Sequence, residues 1–322
     1  MTNHRKQLRK LIVIGTSAGG VEALMKFVKS LPGDLRAAVC VTIHQSPSGQ
    51  ALLANLLARH SILPVSYAED NSPIESGHIY LAPPDKHLRI RANRMHLDRG
   101  PRENSSRPAI DPLFRSAARE FDGDTIGVIL SGSLDDGTAG LAQVKLCGGT
   151  TIVQDPEDAL FRGMPESAIS KVEVDHVVPL DELTSLLVKL CATEVKREVK
   201  MDLDSSSDDS PACYICPECG GPLREKRMAD GTHFECLVGH RLTADWLWND
   251  QSRNIETVLW TAVRTLKERA DFAKRLAEQS KLRGHDRIAD RYFEECEIAL
   301  RDSMAIESLI SQRKADSDES TS

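Results

Sequence analysis

The sequence lacks any long hydrophobic run, and this absence excludes several classes of protein. No apolar stretch approaches the ~18–20 residues that a membrane-spanning helix needs. The basic start is followed by only a short apolar segment at residues 11–14, which makes a poor signal peptide. We therefore expect a cytoplasmic protein that does not insert into a membrane.

The sequence also lacks a large excess of either positive or negative charge. The 322 residues include 41 Lys and Arg against 48 Asp and Glu, a net charge of −7, with no long basic run. Binding to nucleic acid without sequence preference requires basic side chains that neutralise phosphates, so this composition argues against a nucleic-acid partner. With 40% hydrophobic and 28% charged residues, the chain is typical of a globular protein of about two domains.

The eight cysteines are too unevenly placed for a disulfide framework, because four of them lie close together. Such a cluster favours a metal site. Cys216 and Cys219 form one C-x-x-C pair, and Cys236 with His240 follows as the second pair. Together they predict a zinc-ribbon-like site with Cys3His ligation. Cys213 and Cys216 have the same spacing, which leaves the register between Cys213 and Cys219 open.

Short apolar runs alternate with amphipathic stretches over residues 8–192. This alternation predicts βαβ units and an α/β fold with a doubly wound, mostly parallel sheet. A two-residue turn at Ala92-Asn93 predicts an added β-hairpin. The predicted strands are 11–15, 37–44, 78–82, 125–131, 150–155 and 174–179, with hairpin strands 87–91 and 94–98, and the predicted helices are 20–31, 50–60, 111–121, 139–147 and 165–172.

The rest of the chain divides by composition into four segments. Residues 193–211 become rich in Ser and Asp and predict a flexible linker. The cysteine module, residues 212–245, follows it, and we expect it to serve protein docking or folding. Because the linker separates the modules, loss of the metal should unfold residues 212–245 but leave any activity of the first domain intact. A helical period over 250–313, broken at Gly284, predicts a helical hairpin, and 314–322 form a polar tail.

A serine stands in a glycine-rich turn after the first predicted strand. Ser17 lies between Gly15 and Gly19-Gly20, where the predicted strand gives way to a helix. This is the layout of a nucleophile elbow, in which glycines let the turn tighten and the hydroxyl project at the carboxyl end of the strand. A phosphate-binding glycine loop is the alternative, but neither the Walker A nor the dinucleotide-binding pattern is present.

A serine nucleophile requires a base and an orienting acid. His44 ends the next predicted strand, and Asp135-Asp136 follow the strand at 125–131, so these groups should meet at one edge of a parallel sheet. The order Ser, His, Asp differs from that of α/β-hydrolases, which would need a late histidine such as His176. A simple turn or helix cap is the alternative for the Asp-Asp-Gly segment.

These segments together resemble the catalytic domain of the chemotaxis protein-glutamate methylesterases of the CheB type. The resemblance covers roughly residues 8–192 and is specific, because several blocks match in the same order. The blocks are Ile14-Gly15-Thr16-Ser17-Ala18-Gly19-Gly20, Ile43-His44, Tyr80-Leu81-Ala82-Pro83-Pro84-Asp85, Arg107-Pro108-Ala109-Ile110-Asp111-Pro112-Leu113-Phe114, Leu130-Ser131-Gly132-Ser133-Leu134-Asp135-Asp136-Gly137 and Gly163-Met164-Pro165-Glu166-Ser167-Ala168.

The resemblance implies roles for individual residues. Ser17 would be the nucleophile, His44 the general base and acid, and Asp136, rather than Asp135, the orienting acid. Backbone amides near Ser133 and His44 would hold the oxyanion, and catalysis would need no cofactor. The substrates would be glutamyl methyl esters on the cytoplasmic helices of methylated chemoreceptors, with glutamine deamidation as a related reaction and other chemosensory proteins as further partners.

Regulation and the second half of the chain are less well defined by the resemblance. Family members usually carry an N-terminal phosphoacceptor receiver domain, and we expect none here because the first predicted strand begins near the start of the chain. The cysteine module and the helices after it resemble C-terminal extensions on receiver-less relatives. Two alternatives to a receptor methylesterase remain: a signalling scaffold that recruits partners through this C-terminal half, and a small-molecule carboxylesterase.

Overall fold

Parallel strands and flanking helices form the first part of the protein in the computed structural model, which describes residues 10–45, 52–193, 210–228 and 231–319. The strands are β1 (Lys10–Thr16), β2 (Ala37–Ile43), β3 (Val65–Tyr67), β4 (Ser72–Pro73), β5 (Ile79–Leu81), β6 (His87–Arg91), β7 (Arg94–Asp98), β8 (Thr125–Ile129), β9 (Thr150–Gln154) and β10 (His176–Val178). The helices are α1 (Gly20–Ser30), α2 (Leu53–Ala58), α3 (Ile110–Phe121), α4 (Thr138–Leu146), α5 (Gly163–Lys171) and α6 (Leu180–Ala192). We call this part the α/β domain.

The main sheet of the α/β domain has the strand order β10-β9-β8-β1-β2-β5-β3, with every pair parallel. Helices α1 and α6 cover one face, and α3, α4 and α5 cover the other. In β1, Ile12 and Ile14 pack in the hydrophobic core on the first of these faces, and Leu11 and Val13 pack in the core on the other. A strand buried on both faces reads as a continuous apolar run, and the predicted doubly wound α/β fold is confirmed.

The sheet changes its direction of winding at β1, which has β2 on one side and β8 on the other. Ligands of open α/β sheets bind outside the carboxyl ends of the strands at such a switch point. Ser17 follows β1 directly, His44 follows β2, and the segment 130–137 follows β8. The topology therefore gathers the predicted catalytic groups at one place.

The predicted hairpin forms, but it does not extend the main sheet. β6 and β7 pair with β4 in a separate three-stranded antiparallel sheet, while β3 occupies the edge of the main sheet beside β5. β3 is not among the predicted strands, because three residues are too few to show an alternating pattern. α6 is not among the predicted helices, although the helical spacing of Leu180, Leu183 and Leu187 is a readable signal.

The cysteine module is a small antiparallel sheet. Its strands, in the order β11-β12-β13-β14, are β11 (Ser210–Ile215), β12 (Pro222–Met228), β13 (Gly231–Cys236) and β14 (Arg241–Thr243). This module belongs to the same compact unit as the α/β domain, a unit that extends to Trp246. Residues 194–209 of the predicted linker lie outside the described part of the chain.

A second compact unit begins at Leu247 and consists of two helices. These are α7 (Ala244–Leu282), most of which lies in this unit, and α8 (Asp286–Glu319), joined at Gly284 as the sequence predicts. Among the described residues, Ala270, Ala273, Cys296 and Ala299 form a buried cluster between them. Helix α8 continues into the predicted polar tail, which has no glycine or proline to end it. Among the described helices, none combines the length and the apolar character required to cross a membrane.

Candidate active site and metal centre

The turn between β1 and α1 carries Ser17 and is shaped by a glycine. Gly19 has a φ of 73°, in the left-handed region, and a Cβ there would lie 2.7 Å from the Ser131 hydroxyl oxygen. The Ser17 amide donates to the Ser131 carbonyl oxygen over 3.0 Å, and the Thr16 hydroxyl donates to the same oxygen over 2.7 Å. These bonds fix the turn against the loop after β8 and hold Ser17 at the carboxyl edge of the sheet.

Ser17, His44 and Asp136 form a continuous series of hydrogen bonds. His44 Nδ1 lies 3.1 Å from Ser17 Oγ, and His44 Nε2 lies 2.7 Å from Asp136 Oδ2. Since an ionised carboxylate only accepts, Nε2 carries the ring proton and Nδ1 accepts from the Ser17 hydroxyl. This arrangement can take a proton from Ser17 as its oxygen attacks an electrophile.

Asp136 is almost fully buried and held by several donors. The backbone amide of Ile110, in the first turn of α3, donates to Asp136 Oδ2 over 2.8 Å, and that of Asp111 donates to Oδ1 over 3.4 Å. Burial acts to raise the pKa of Asp136, but the hydrogen bond and charge of His44 and these two amides outweigh it and bring the pKa below its ordinary value. The carboxylate therefore stays ionised beside His44.

Asp135 has different partners from Asp136. The Thr243 hydroxyl of the cysteine module donates to Asp135 Oδ1 over 2.9 Å, and Lys171 Nζ lies 3.3 Å from Oδ2. Burial raises the pKa of Asp135 above its ordinary value, against the lowering effect of Lys171 and Thr243. The two neighbouring aspartates thus sit in different environments, and Asp136 is the one in contact with His44.

The loop after β8 passes close to Ser17 and carries a candidate oxyanion donor. The family resemblance implies oxyanion donors among the backbone amides near Ser133 and His44. The His44 amide already donates to the Thr16 carbonyl oxygen over 3.3 Å. The Ser133 amide follows Gly132, where a Cβ would lie 3.1 Å from Ser17 Cβ. The backbone at Gly132-Ser133 is therefore close enough to the nucleophile to present an N–H group to an oxyanion.

Asn104 is a site residue that the sequence analysis missed. Its side-chain nitrogen donates to Asp136 Oδ1 over 3.3 Å, and its side-chain oxygen accepts from the Thr243 amide over 3.2 Å. Asn104 is buried and has a φ of 47°, a left-handed conformation that asparagine tolerates. That tolerance was the only signal in the sequence, and it gives no indication of a partner 139 residues away.

The four predicted zinc ligands converge in the cysteine module. The ligand atoms of Cys216, Cys219, Cys236 and His240 all lie within 4.8 Å of one another. Cys216 Sγ and His240 Nδ1 are 3.7 Å apart, Cys236 Sγ and His240 Nδ1 are 3.5 Å apart, and Cys219 Sγ and Cys236 Sγ are 3.6 Å apart. Tetrahedral zinc with its usual bond lengths requires ligand separations of about 3.5–3.8 Å, so this donor set fits the ion.

Two tight turns present these ligands. In the first, the Cys216 amide donates to the Gly221 carbonyl and the Gly220 amide donates to the Cys216 carbonyl, each over 2.8 Å. In the second, the Gly239 amide donates to the Cys236 carbonyl over 2.9 Å. The side chain of Cys213, the alternative ligand, lies outside the described part of the chain.

Comparison with known proteins relates the α/β domain to one family. The family model described as CheB methylesterase matches residues 12–187. A protein-glutamate methylesterase/protein-glutamine glutaminase 2 of Methanosarcina mazei is 34% identical over 205 residues, covering 58% of this chain and 56% of that protein. A protein of the same name from Xanthomonas oryzae pv. oryzae is 40% identical over 187 residues, covering 57% of this chain and 52% of that protein.

A solved structure shows the same similarity. The crystal structure of the Thermotoga maritima CheB methylesterase catalytic domain superimposes with a TM-score of 0.54 at 36% identity, covering 56% of this chain and 98% of that one. The chain spans about half the length of the curated relatives that it matches. The similarity therefore concerns the α/β domain.

Proposed function

The chain belongs to the CheB methylesterase family, and from this premise we propose that it is a serine hydrolase that demethylates glutamyl methyl esters on chemoreceptor-like proteins. The observation that carries the proposal is the hydrogen-bonded series from Ser17 through His44 to Asp136. A non-catalytic scaffold would have no need for this series. We propose a cytoplasmic location for this reaction, with receptor helices and other chemosensory proteins as the partners.

We propose that acyl transfer begins at Ser17. The Ser17 hydroxyl proton passes to His44 Nδ1 while Ser17 Oγ attacks the γ-carbonyl carbon of the ester. The Ser133 amide would stabilise the resulting oxyanion, and the ionised Asp136 would stabilise the imidazolium through Nε2. His44 then returns the proton to the departing methoxide, which leaves as methanol and gives a glutamyl ester on Ser17.

Hydrolysis of this ester would repeat the same steps with water. His44 Nδ1 takes a proton from a water molecule, whose oxygen attacks the acyl carbon. The proton then passes to Ser17 Oγ as the acyl–oxygen bond breaks, which releases glutamate and restores the hydroxyl. The same sequence with a primary amide would release ammonia from glutamine, a poorer leaving group, so we propose deamidation as the slower activity.

Methanol release from a methylated receptor cytoplasmic fragment tests the proposal. We expect the full-length protein to release methanol from the fragment and to act poorly on soluble aryl esters. Rapid hydrolysis of aryl esters without methanol release from the receptor would instead indicate a small-molecule carboxylesterase. No turnover of either substrate would favour the scaffold.

We expect Gly132→Ala to reduce turnover about 100-fold. The added methyl group would lie 2.1 Å from Met164 Sδ and 3.1 Å from Ser17 Cβ, so the nucleophile or its neighbour must move. A displacement of about 1 Å at a reacting group can cost on the order of 10²-fold in rate. Gly33→Ala is the matched control, because its methyl group would meet only the exposed Ile62 side chain. Equal kcat/KM for both variants would contradict the close approach at Gly132.

We also propose that Cys216, Cys219, Cys236 and His240 bind one structural zinc ion. Metal analysis of the reduced protein should give one zinc per chain, and Cys216→Ser should lose it, because three ligands cannot complete the tetrahedral site. A protein with no bound zinc would contradict the site. Zinc that survives Cys219→Ser but not Cys213→Ser would assign the first pair to Cys213 and Cys216.

A further inference from the structure

The cysteine module docks on the α/β domain through backbone hydrogen bonds beside the neighbouring Asp135 and Asp136. The Asn104 amide donates to the Arg241 carbonyl oxygen over 2.9 Å, and the Arg241 amide donates to the Arg102 carbonyl oxygen over 3.4 Å. Glu103 pairs with Arg241 as a parallel bridge. The segment 102–104 thus adds to β14 as a short strand, although the two lie far apart in sequence.

Side chains extend this contact to both aspartates. The Thr243 hydroxyl donates to Asp135, and the Thr243 amide donates to the side chain of Asn104, which in turn donates to Asp136. Because Asp136 also binds His44, a continuous series of hydrogen bonds runs from β14 to Ser17. None of these links lies in the segment predicted as a linker.

We propose that Asn104 is a positioning residue for the esterase reaction, through which the docked β14 holds the catalytic carboxylate in place. This inference rests on the proposed function, since it assumes that Asp136 orients His44. Asn104 itself would touch neither the substrate nor the reacting atoms. The cysteine module would then contribute to the geometry of the catalytic centre.

An amide side chain suits this position because one end must accept a hydrogen bond and the other must donate one. The Thr243 amide offers a proton, which the Asn104 oxygen accepts, and Asp136 needs a donor, which the Asn104 nitrogen provides. An aspartate could accept from Thr243 but would add a further carboxylate beside Asp136, which already has the buried Asp111 nearby. A glycine would keep the left-handed backbone and lose both hydrogen bonds.

The test measures the reactivity of Ser17 in the full-length protein. A fluorophosphonate labels an activated serine, and its labelling rate reports the base without requiring the natural substrate. We expect Asn104→Asp and Asn104→Gly to slow labelling by about 10- to 100-fold, because the Asp136 carboxylate loses one of the donors that fix its position beside His44. Asn71→Asp is the matched control: Asn71 is also left-handed, with a φ of 58°, but exposed, and this variant should label at the wild-type rate.

Two further measurements separate positioning from a general loss of structure. The imidazole proton between His44 and Asp136 should give a low-field NMR resonance in the wild type, and this signal should shift in Asn104→Gly while circular dichroism stays unchanged. On a methyl ester substrate, kcat should fall and KM should stay constant.

The outcomes separate this inference from the proposed function. A wild-type protein that is not labelled at Ser17 would contradict the proposed function. Normal labelling of the wild type together with equal labelling and an unmoved resonance in both Asn104 variants would overturn the inference alone. If Asn104→Asp fails to fold, Asn104→Gly, which adds no charge, decides the question by the same criteria.

Discussion

Ser17→Ala should leave the protein folded and reduce methanol release from a methylated receptor fragment by about 10⁴-fold or more. The variant removes the nucleophile, and without it the remaining parts of a triad give only residual catalysis. Alanine fits the turn, because the backbone there is held by the Ser17 amide and by Gly19 rather than by the hydroxyl. Methanol assays of the wild type and of Ser17→Ala check the loss of activity, and thermal unfolding of the two proteins checks that the variant is folded.

The neighbouring aspartates provide the matched comparison for the rest of the triad. His44→Ala and Asp136→Asn should be about as inactive as Ser17→Ala, because the three groups act as one unit. Asp135→Asn should retain most of the activity, since Asp135 bonds to Thr243 and Lys171 and not to His44. An inactive Asp135→Asn beside an active Asp136→Asn would show that the assignment is wrong by one residue.

The candidate catalytic groups were readable from the sequence for a topological reason. Parallel strands buried on both faces are apolar along their whole length, so the polar residues that follow them stand out. Ser17, His44 and Asp136 each follow such a strand, and parallel strands bring their carboxyl ends to one edge. The choice between Asp135 and Asp136, however, came from the family resemblance, because both residues are polar and both follow β8.

Contacts between distant segments could not be read in the same way. The pairing of β14 with the segment 102–104 uses backbone groups, which carry no sequence signal. The sequence therefore predicts a cysteine module joined only by a flexible linker, and it carries no sign of the hydrogen bond between Thr243 and Asn104. The strand order, with β3 rather than the hairpin beside β5, depended on similar non-local pairing.

The position of His240 links the proposed metal site to this contact. Cys236 ends β13 and His240 immediately precedes β14, so two of the four ligands lie at the ends of the turn that leads into the strand that docks on the α/β domain. A short segment with a small core depends on its metal for structure, and structural zinc contributes apparent binding free energies of about 10–16 kcal/mol in small zinc-binding peptides. Loss of the ion should therefore release β14.

From this we expect removal of zinc to slow fluorophosphonate labelling of Ser17 by about 10- to 100-fold, much less than the loss in Ser17→Ala. The sequence alone led to the opposite expectation, that an unfolded cysteine module would leave the activity intact. The measurement compares the labelling rate of Ser17 before and after treatment with a chelator. Circular dichroism and readdition of zinc accompany it.

Asn104→Gly is the control that identifies the route of this effect. If the metal acts on Ser17 by holding β14 against Asn104, the variant has already lost that route, and chelation should slow its labelling little further. Two effects that share one path do not add, whereas independent effects multiply in rate. Full-rate labelling of the chelated wild type would show that β14 keeps Asp136 in place without the ion. A further 10-fold decrease in the labelling rate of chelated Asn104→Gly would show that the metal site affects Ser17 through other contacts. The hydrogen bond from Thr243 to Asp135 is the nearest such contact.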